Sequence, residues 1–451
     1  MSFLSSLNQD QKEAVGLLQV GTFLEYFDLM LYVHMAVLLN ELFFPIADAK
    51  TASLLAAFAF CSTYVLRPFG ALIFGYIGDN IGRKTTVIIT TMMMAISCII
   101  MATLPTYAQI GIAAAWLVTL CRIIQGLSSM GEIIGAEIYL TEITKPPVSY
   151  PVVGLIGCAS RLGTMAALGV ATLVTLHNFE WRNAFWIGAA IAVVGSVART
   201  RLRETPDFVD MKKHLKKKIP ALQTISDATS SHLLEKIYPS YQSKASWKTL
   251  LAFFLIYAGP PACLYFSYIY FSVFLKTIGY TSQTIITQNF LISIIEFLGM
   301  LTCVLLSYKI HPLKIIKSKA ILFIPFIVSV PFIINSTSSS WQIFIIQTIS
   351  VCFTLSPVPA VACLMRHFPV FKRFTYASFM YALSRAITHI LSSFGLVYLT
   401  DFMGTWGLYF ILIPVALGFL WGVRYFEKIE KKSQIEEETI KLGSKGENFI
   451  D

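Results

Sequence analysis

The chain has 451 residues, of which 56% are hydrophobic, 14% aromatic and only 13% charged, and its formal net charge is +10. A soluble domain cannot expose so little charge, whereas a bundle of helices that face lipid can. The composition therefore excludes an ordinary soluble domain. We interpret the excess of basic residues as an interaction with a lipid bilayer and not with nucleic acid.

Twelve apolar spans follow one another along the chain. They are predicted at residues 14–40, 50–77, 85–105, 107–141, 149–176, 183–201, 247–277, 282–308, 316–335, 340–365, 374–399 and 404–425. These runs are long and continuous, where a membrane barrel would show short alternating segments. The sequence predicts an all-α integral membrane protein with twelve transmembrane helices.

Lysine and arginine crowd alternate connections between the spans. The basic positions are Arg83, Lys84, Lys145, the cluster 212–218, Lys309, Lys314, Lys317, Lys319, Arg366, Lys372, Arg373 and the tail after Arg424. Basic loops stay on the cytoplasmic side, so this pattern predicts that both termini are cytoplasmic. An even number of spans requires the same.

One change in composition divides the chain. Residues 202–246 are polar and basic, with six predicted spans on each side. We expect an N-terminal six-helix bundle at 1–201, a cytoplasmic linker at 202–246, a C-terminal six-helix bundle at 247–426 and a cytoplasmic tail at 427–451. The eight cysteines all lie in apolar spans and are interpreted as packing residues, with neither disulfides nor a metal site expected.

Residues 75–84, between the second and third spans, read G-Y-I-G-D-N-I-G-R-K. Glycines here let backbones approach and turn, Asp79 can accept hydrogen bonds from a helix end or an arginine, and Arg83 can pair with acids of other inner loops. The segment resembles the signature of the major facilitator superfamily, where it latches a cytoplasmic gate. The resemblance implies a gate made of Gly75, Asp79, Gly82, Arg83, Lys84, Glu142 and Glu204.

Other segments of the first half resemble one branch of that family, the metabolite:proton symporters, which carry organic acids, shikimate-like compounds, proline or betaine. They are G-T-F-L-E-Y-F-D-L-M-L-Y at 21–32, R-P-F-G at 67–70, R-I-I-Q-G-L-S-S-M-G-E-I-I-G-A-E at 122–137 and R-E-T-P-D-F at 203–208. The resemblance implies two six-helix bundles that alternate in access around a site between them.

The second half departs from the family pattern. Residues 307–314 read S-Y-K-I-H-P-L-K, without the aspartate and glycines of a second gate motif, so we expect an asymmetric latch. Residues 368–375 read F-P-V-F-K-R-F-T, which resembles the family's pattern but lacks the acid that usually precedes it. That replacement leaves a gate ion pair on this side in question.

Ionisable residues inside spans are costly and are functional candidates for that reason. The candidates for proton coupling are Asp28, Arg122, Glu132 and Glu25. A carboxylate that alternates between an arginine partner and isolation can load and release a proton. Asp28 with Arg122 is the first choice, because related facilitators place such an acid on the first helix and such an arginine on the fourth. The alternative is a permanent buried pair that fixes packing.

A second group of polar residues is interpreted as lining a substrate cavity. Its members are Arg161, Tyr265, Tyr268, Glu296, Arg385 and His389. Arg161 could bind a carboxylate or phosphate through paired hydrogen bonds, or it could only neutralise a nearby glutamate. An internal pair of Glu296 with Arg385 is expected. The tyrosines could instead belong to an interfacial belt, and His389 could be a packing residue.

The sequence predicts a proton-coupled symporter of a small organic metabolite (an organic acid, amino acid or betaine-like compound), a multi-pass protein of the cell inner membrane. Its expected partners are the metabolite, protons and the lipid bilayer, with no nucleic acid, and the chain is expected to be a monomer. No cofactor, metal or enzymatic activity is indicated, because neither metal-ligand spacing nor a nucleophile with a base is found. The alternatives are an uncoupled facilitator or exchanger and a transporter-like membrane sensor.

Overall fold

The computed structural model describes residues 2–35, 39, 42–44, 64–176, 180–200, 202–205, 245–335 and 339–447. Within these ranges the regular structure is helical and no strand occurs. The helices of 13 residues or more are α1 (Gln9–His34), α2 (Arg67–Asn80), α3 (Arg83–Thr103), α4 (Ile112–Ile143), α5 (Ser149–Leu176), α6 (Trp181–Arg199), α7 (Trp247–Leu264), α8 (Ser282–Leu306), α9 (Pro312–Asn335), α10 (Ser340–Cys352), α11 (Arg373–Ile390) and α12 (Tyr409–Glu447).

Shorter elements extend or connect these helices. A π-helical turn, Tyr265–Tyr270, carries α7 into the helix Phe271–Thr277. A second π-helical turn, Leu391–Gly395, carries α11 into Leu396–Met403. The remaining short pieces are helices Ser2–Ser5, Tyr107–Ile110 and Val361–Arg366 and the 3-10 turns Val370–Lys372 and Gly404–Leu408.

In the described part of the chain, eight helical segments are long and apolar enough to cross a membrane. Large apolar side chains such as Trp116, Val194 and Phe402 are exposed on helix surfaces, which suits a hydrocarbon solvent and not water. The molecule is therefore an integral membrane protein with several spans. Of the second predicted span, 50–77, residues 50–63 lie outside the described residues, and its described part belongs to α2.

The first-half helices approach closely where glycine removes the side chain. A Cβ on Gly163 of α5 would lie 3.0 Å from the Phe27 nitrogen of α1. Such small-residue contacts are how helices associate in lipid, where no hydrophobic force drives them together. The α1–α5 contact is the most extensive in the molecule, and α3 packs between α4 and α6.

Several helix contacts join the halves of the chain. In the second half α7 packs on α11 and α12. Across the halves α11 packs on α2 and on α4, α8 packs on α5, and the short helix Val361–Arg366 packs on α4 and α5. These contacts decide which polar side chains meet at the centre.

The tenth predicted span, 340–365, is wrong as a single helix. The helix α10 ends at Cys352, and a non-helical stretch precedes the short helix Val361–Arg366. Pro357 and Pro359 occupy this stretch. Proline lacks the backbone donor that a helix needs and disfavours helical geometry in the preceding residue. The helix therefore stops here although the residues remain apolar, and hydropathy alone does not detect the break.

Candidate functional site

The carboxylate of Asp79, near the end of α2, lies at the start of α11 in the other half. It accepts hydrogen bonds from the backbone nitrogens of Phe374 (3.2 Å) and Thr375 (2.9 Å) and from the Thr375 hydroxyl (2.8 Å). The first backbone donors of a helix have no internal partner and attract negative charge. Asp79 thus caps a helix of the opposite half, and Gly75 permits the approach, since its Cβ would lie 2.8 Å from the Thr375 Cα.

Arg83 connects the same two halves and is fully buried. Its guanidinium donates to the Val370 carbonyl at 2.8 Å, contacts Glu142 at 3.4 Å and lies 3.3 Å from Asp79. Glu142 also accepts from Arg373 of α11 at 3.1 Å. An ion pair therefore does form on the second-half side, although the preceding acid of the family pattern is missing.

Glu204 contacts the gate through backbone atoms. Its carboxylate accepts hydrogen bonds from the nitrogens of Arg83 (3.0 Å) and Lys84 (3.3 Å), the first residues of α3. Glu204 therefore caps the start of α3 through the backbone of Arg83 and Lys84. Gly82, which precedes this helix, has a φ of 154°, a conformation that side chains disfavour.

Two adjoining cavities lie between the helices. The first has a volume of about 60 Å³, and its lining includes Glu137, Arg161, Tyr257, Arg385 and His389. The second has a volume of about 290 Å³, and its lining includes Arg161, Tyr268, Lys276, Asn289 and Glu296. Arg161 lines both cavities, so its guanidinium stands at their junction.

Arg161 of α5 forms an ion pair with Glu296 of α8, with 3.2 Å between Nη1 and Oε1. The Tyr268 hydroxyl donates to the other carboxylate oxygen at 2.7 Å. The expected pair of Glu296 with Arg385 is therefore wrong. The cause is helix packing, because α8 lies against α5 while α11, which carries Arg385, lies against α2 and α7.

The other predicted cavity residues divide into two groups. Arg385 donates to the Tyr26 hydroxyl at 3.4 Å and lies over the Tyr381 ring at 4.7 Å. The His389 side chain is buried, and its ring centroid lies 3.9 Å from that of Tyr64. Tyr265 lies apart from both cavities as they are described, and its hydroxyl donates to the Ser393 carbonyl at 3.4 Å.

Asp28 and Arg122 lie inside the first half. Asp28 accepts from the Cys98 thiol at 3.3 Å. The Arg122 guanidinium lies over the Tyr32 ring at 4.0 Å and donates to Gln125 at 2.7 Å. Neither Asp28 nor Arg122 is among the described residues that line the two cavities.

Glu25 faces Arg67, and both side chains are almost completely buried, with 3.8 Å between charged atoms. Neither carboxylate oxygen of Glu25 and no guanidinium nitrogen of Arg67 has a hydrogen-bond partner among the described residues. The pair is thus held by charge alone. Arg67 was part of a recognised motif, but its sequence position did not indicate this partner.

Glu132 belongs to a fully satisfied buried pair. It binds Arg199 at the end of α6, and the Thr91 hydroxyl donates to its second oxygen at 2.7 Å. Arg199 also donates to the Leu18 carbonyl of α1 at 3.1 Å. Sequence reasoning missed Arg199, although an arginine inside the sixth predicted span is itself a signal. This arrangement favours packing over proton transfer for Glu132.

Glu137 of α4 ends the 122–137 motif, but the sequence assigned it no particular role. It is buried, it lines the first cavity, and its Oε2 has no hydrogen-bond partner among the described residues. A carboxylate with an unsatisfied oxygen at this depth is costly. The sequence shows Glu137 five residues after Glu132. It does not show that Glu132 has an arginine partner while Oε2 of Glu137 has no hydrogen-bond partner among the described residues.

Two groups of helices that meet around a charged cavity, beside a latch of ion pairs, define the architecture of a membrane transporter. The model of the Major Facilitator Superfamily matches residues 18–395, and the chain belongs to this family. The structure also resembles that of the proton:xylose symporter XylE, with a TM-score of 0.72 at 15% identity over 93% of this chain and 95% of that one. At this identity the likeness concerns the fold alone.

Curated relatives are similar over about half of their length. The inner membrane metabolite transport protein YhjE of Escherichia coli (strain K12) is 35% identical over 223 residues, which are 48% of this chain and 50% of the relative. The proline/betaine transporter of Salmonella typhimurium is 34% identical over 208 residues, 44% of this chain and 41% of the relative. Both relatives are thus named as transporters, one of metabolites and the other of proline and betaine.

Proposed function

We propose that this chain is a secondary active transporter that couples proton entry to symport of a small organic metabolite by alternating access. The observation that carries this proposal is the charged cavity lined by Glu137, Arg161 and Arg385, which lies between two groups of helices whose ends are latched around Asp79. A binding space between two bodies, closed on one side by breakable polar contacts, is what rocking transporters require.

The proposal includes an arrangement in the membrane. Twelve spans form bundles at 1–201 and 247–426, joined by a linker at 202–246 and followed by a tail at 427–451. Both termini are cytoplasmic, which makes the Asp79 latch an inner gate, and the chain works as a monomer in the cell inner membrane. The inner-loop basic residues support this orientation, as does the relative named an inner membrane transport protein.

Asp28 is the proposed proton site, with Arg122 as its alternating partner. The two charges lie in the same buried region of the first half, where Asp28 accepts from Cys98 and Arg122 stacks on Tyr32. A carboxylate holds its proton when an arginine withdraws and gives it up when the pair forms again. Movement of α1 against α4 during the rocking cycle would alternate these states.

The test is uptake of a labelled metabolite panel (organic acids, proline, betaines) into proteoliposomes, with and without an imposed pH gradient. We expect gradient-driven accumulation of at least one compound by the unaltered protein. The variant Asp28→Asn should lose accumulation but keep exchange of that compound across the membrane. Uptake that is indifferent to the gradient would refute coupling, and full accumulation by Asp28→Asn would refute the site.

A control carboxylate is available on the surface. Glu180 is largely exposed and its only described ion pair is with Arg182. The variant Glu180→Gln should accumulate substrate like the unaltered protein. Equal losses in the two variants would mean that removal of any first-half carboxylate impairs the protein, against a specific role of Asp28.

A further inference from the structure

A cluster of metal-binding side chains lies at the latch end of the second half, away from the central cavity. It consists of His311, which precedes α9, Cys363 in the short helix Val361–Arg366, and Glu430 in the last part of α12. Their ligand atoms all lie within 4.8 Å of one another. Among the described residues this is the one such group of three histidine, cysteine or acidic side chains.

We propose that His311, Cys363 and Glu430 bind a divalent transition-metal ion of the Zn²⁺ type. Nitrogen, thiolate and carboxylate ligands together suit this class of cation, and a hard cation such as Mg²⁺ would not use the sulfur. Bond lengths of about 2.0–2.3 Å require ligand atoms roughly 3.6 Å apart, so closure around an ion needs movements of about 1 Å. Side-chain rotation supplies movements of this size.

One ligand atom of the cluster has no other described role. The Nε2 atom of His311 is buried and has no hydrogen-bond partner in the described part of the chain. With the ring proton on Nδ1, Nε2 offers a lone pair that a metal ion can accept. Buried polar atoms are normally satisfied, and one that is not calls for an explanation such as a missing ion.

The surroundings resemble the outer shell of a metal site. Nε2 of His367 lies 2.9 Å from the Glu430 carboxylate. Outer contacts of this kind orient metal ligands and raise affinity. The Tyr150 ring packs against His311, with centroids 5.7 Å apart.

The site adjoins the contact between the two halves. Tyr150 belongs to α5 of the first half, and Arg366, on the same short helix as Cys363, donates to the Thr144 carbonyl at 3.1 Å and to the Ser149 hydroxyl at 3.2 Å. A bound ion would fix α9, this short helix and α12 against one another beside that contact. We therefore expect occupation to hold the latch closed and to inhibit transport, a consequence that rests on the proposed transport function.

Binding is tested with Co²⁺ as a spectroscopic probe on the purified full chain in detergent. We expect a charge-transfer band from thiolate to cobalt that saturates at one ion per chain and strengthens as pH rises, because the thiol must lose its proton. The variant Cys363→Ser should lose the band. Cys352→Ser should keep it, since Cys352 is an exposed cysteine outside the cluster. Absence of the band, or an equal band in Cys363→Ser, would overturn the proposal.

Further variants decide the matter if Cys363→Ser fails to fold. His311→Gln and Glu430→Gln each remove one ligand, and His367→Ala removes only the outer contact. We expect each to weaken Co²⁺ binding by about 10- to 100-fold, the range known for outer contacts and a lower limit for ligands. Unchanged affinity in both ligand variants would overturn the site.

Inhibition is tested separately in proteoliposomes. Zn²⁺ on the latch side should reduce uptake by the unaltered protein and by Cys352→Ser, and should leave uptake by His311→Gln unchanged. If Co²⁺ binds but Zn²⁺ leaves uptake unchanged, the regulatory consequence is wrong while the metal site stands. If no compound is transported at all, the proposed function fails, and the cobalt experiment still decides the site.

Discussion

At the scale of single residues, the buried charges of the first half differ in how well they are satisfied. Glu132 has an arginine and a threonine hydroxyl as partners, whereas Glu25 has an arginine at 3.8 Å and no hydrogen bond among the described residues. A buried ion pair offsets its lost hydration only where hydrogen bonds satisfy its remaining polar atoms. The Glu132–Arg199 pair is therefore better compensated than the Glu25–Arg67 pair.

Gly21 makes the Glu132–Arg199 pair possible. A Cβ at this position of α1 would overlap with Arg199 Nη2 and Glu132 Oε1. We expect Gly21→Ala to displace the pair and to lower the free energy of unfolding by about 3–5 kcal/mol, the cost of breaking a buried ion pair. Thermal unfolding in detergent measures this as a lower midpoint.

The same helix provides the control for this substitution. A Cβ on Gly16 would meet nothing within 4 Å. Gly16→Ala should leave the midpoint unchanged or raise it slightly, since alanine is favoured over glycine in a helix by about 0.5–1 kcal/mol. Similar midpoints for the two variants would contradict the assigned role of Gly21.

Arg161 has two possible roles that a double substitution separates. Arg161→Gln leaves Glu296 without its partner at 3.2 Å, and we expect it to weaken uptake of anionic compounds by at least about tenfold, the value of one charge-assisted hydrogen bond. If Arg161 binds substrate, the variant Arg161→Gln with Glu296→Gln remains defective for anions. Recovery of anion uptake in the double variant would show that the arginine only neutralises the glutamate.

At the scale of helices, sequence patterns predicted the positions of the helices better than the contacts between them. Hydropathy placed most helices, because a long apolar run has few other stable forms in lipid. It failed at 340–365, where Pro357 and Pro359 interrupt an apolar stretch without making it polar. It also could not choose a partner for Glu296, because periodicity fixes the face of a helix and not the helix that covers it.

The gate was more predictable than the cavity for a physical reason. Asp79, near the end of α2, and Arg83, at the start of α3, flank a short turn, so their possible partners are confined to neighbouring helix ends. The residues around Arg161 come from helices far apart in sequence, and their meeting depends on how α5 and α8 pack. A motif carries local geometry, whereas a cavity is a property of the assembled helices.

The cap on α11 supplies a prediction at this scale. Asp79→Asn removes the negative charge that accepts three hydrogen bonds from Phe374 and Thr375. Hydrogen bonds to charged groups contribute about 1.5–3 kcal/mol each, so we expect hydrogen exchange at these two amides to quicken by about tenfold or more. Exchange mass spectrometry of peptides around the start of α11 measures the change.

Asn80 is the neighbouring control for the cap. Its described side-chain hydrogen bond goes to the Tyr76 carbonyl within its own helix. Asn80→Ala should therefore leave exchange at the start of α11 unchanged. Equal exchange in Asp79→Asn and the unaltered protein would mean that the carboxylate is not needed to hold the helix end.

At the scale of the whole molecule, two sets of polar contacts join the halves of the chain. The Asp79 cap and the Glu142 ion pairs join the halves at one end. Meanwhile Arg161 and Glu296 join α5 and α8 at the cavity. Both sets are formed in this structure, so under the proposed alternating access both must be weak enough to break when the halves move.

Arg373 provides the test of this balance. Its ion pair with Glu142, at 3.1 Å, connects the halves, while the adjacent Lys372 is an exposed residue. We expect Arg373→Gln to shift the population toward the form with the latch open by at least tenfold, about 1.4 kcal/mol. Spin labels at Tyr76 and Lys309, in a chain whose native cysteines are replaced by serine, would report this as a longer distance. Lys372→Gln should keep the original distribution of distances. If both variants show the same shift, the shift does not depend on the Arg373–Glu142 ion pair, and the latch rests on Asp79 and Arg83 alone.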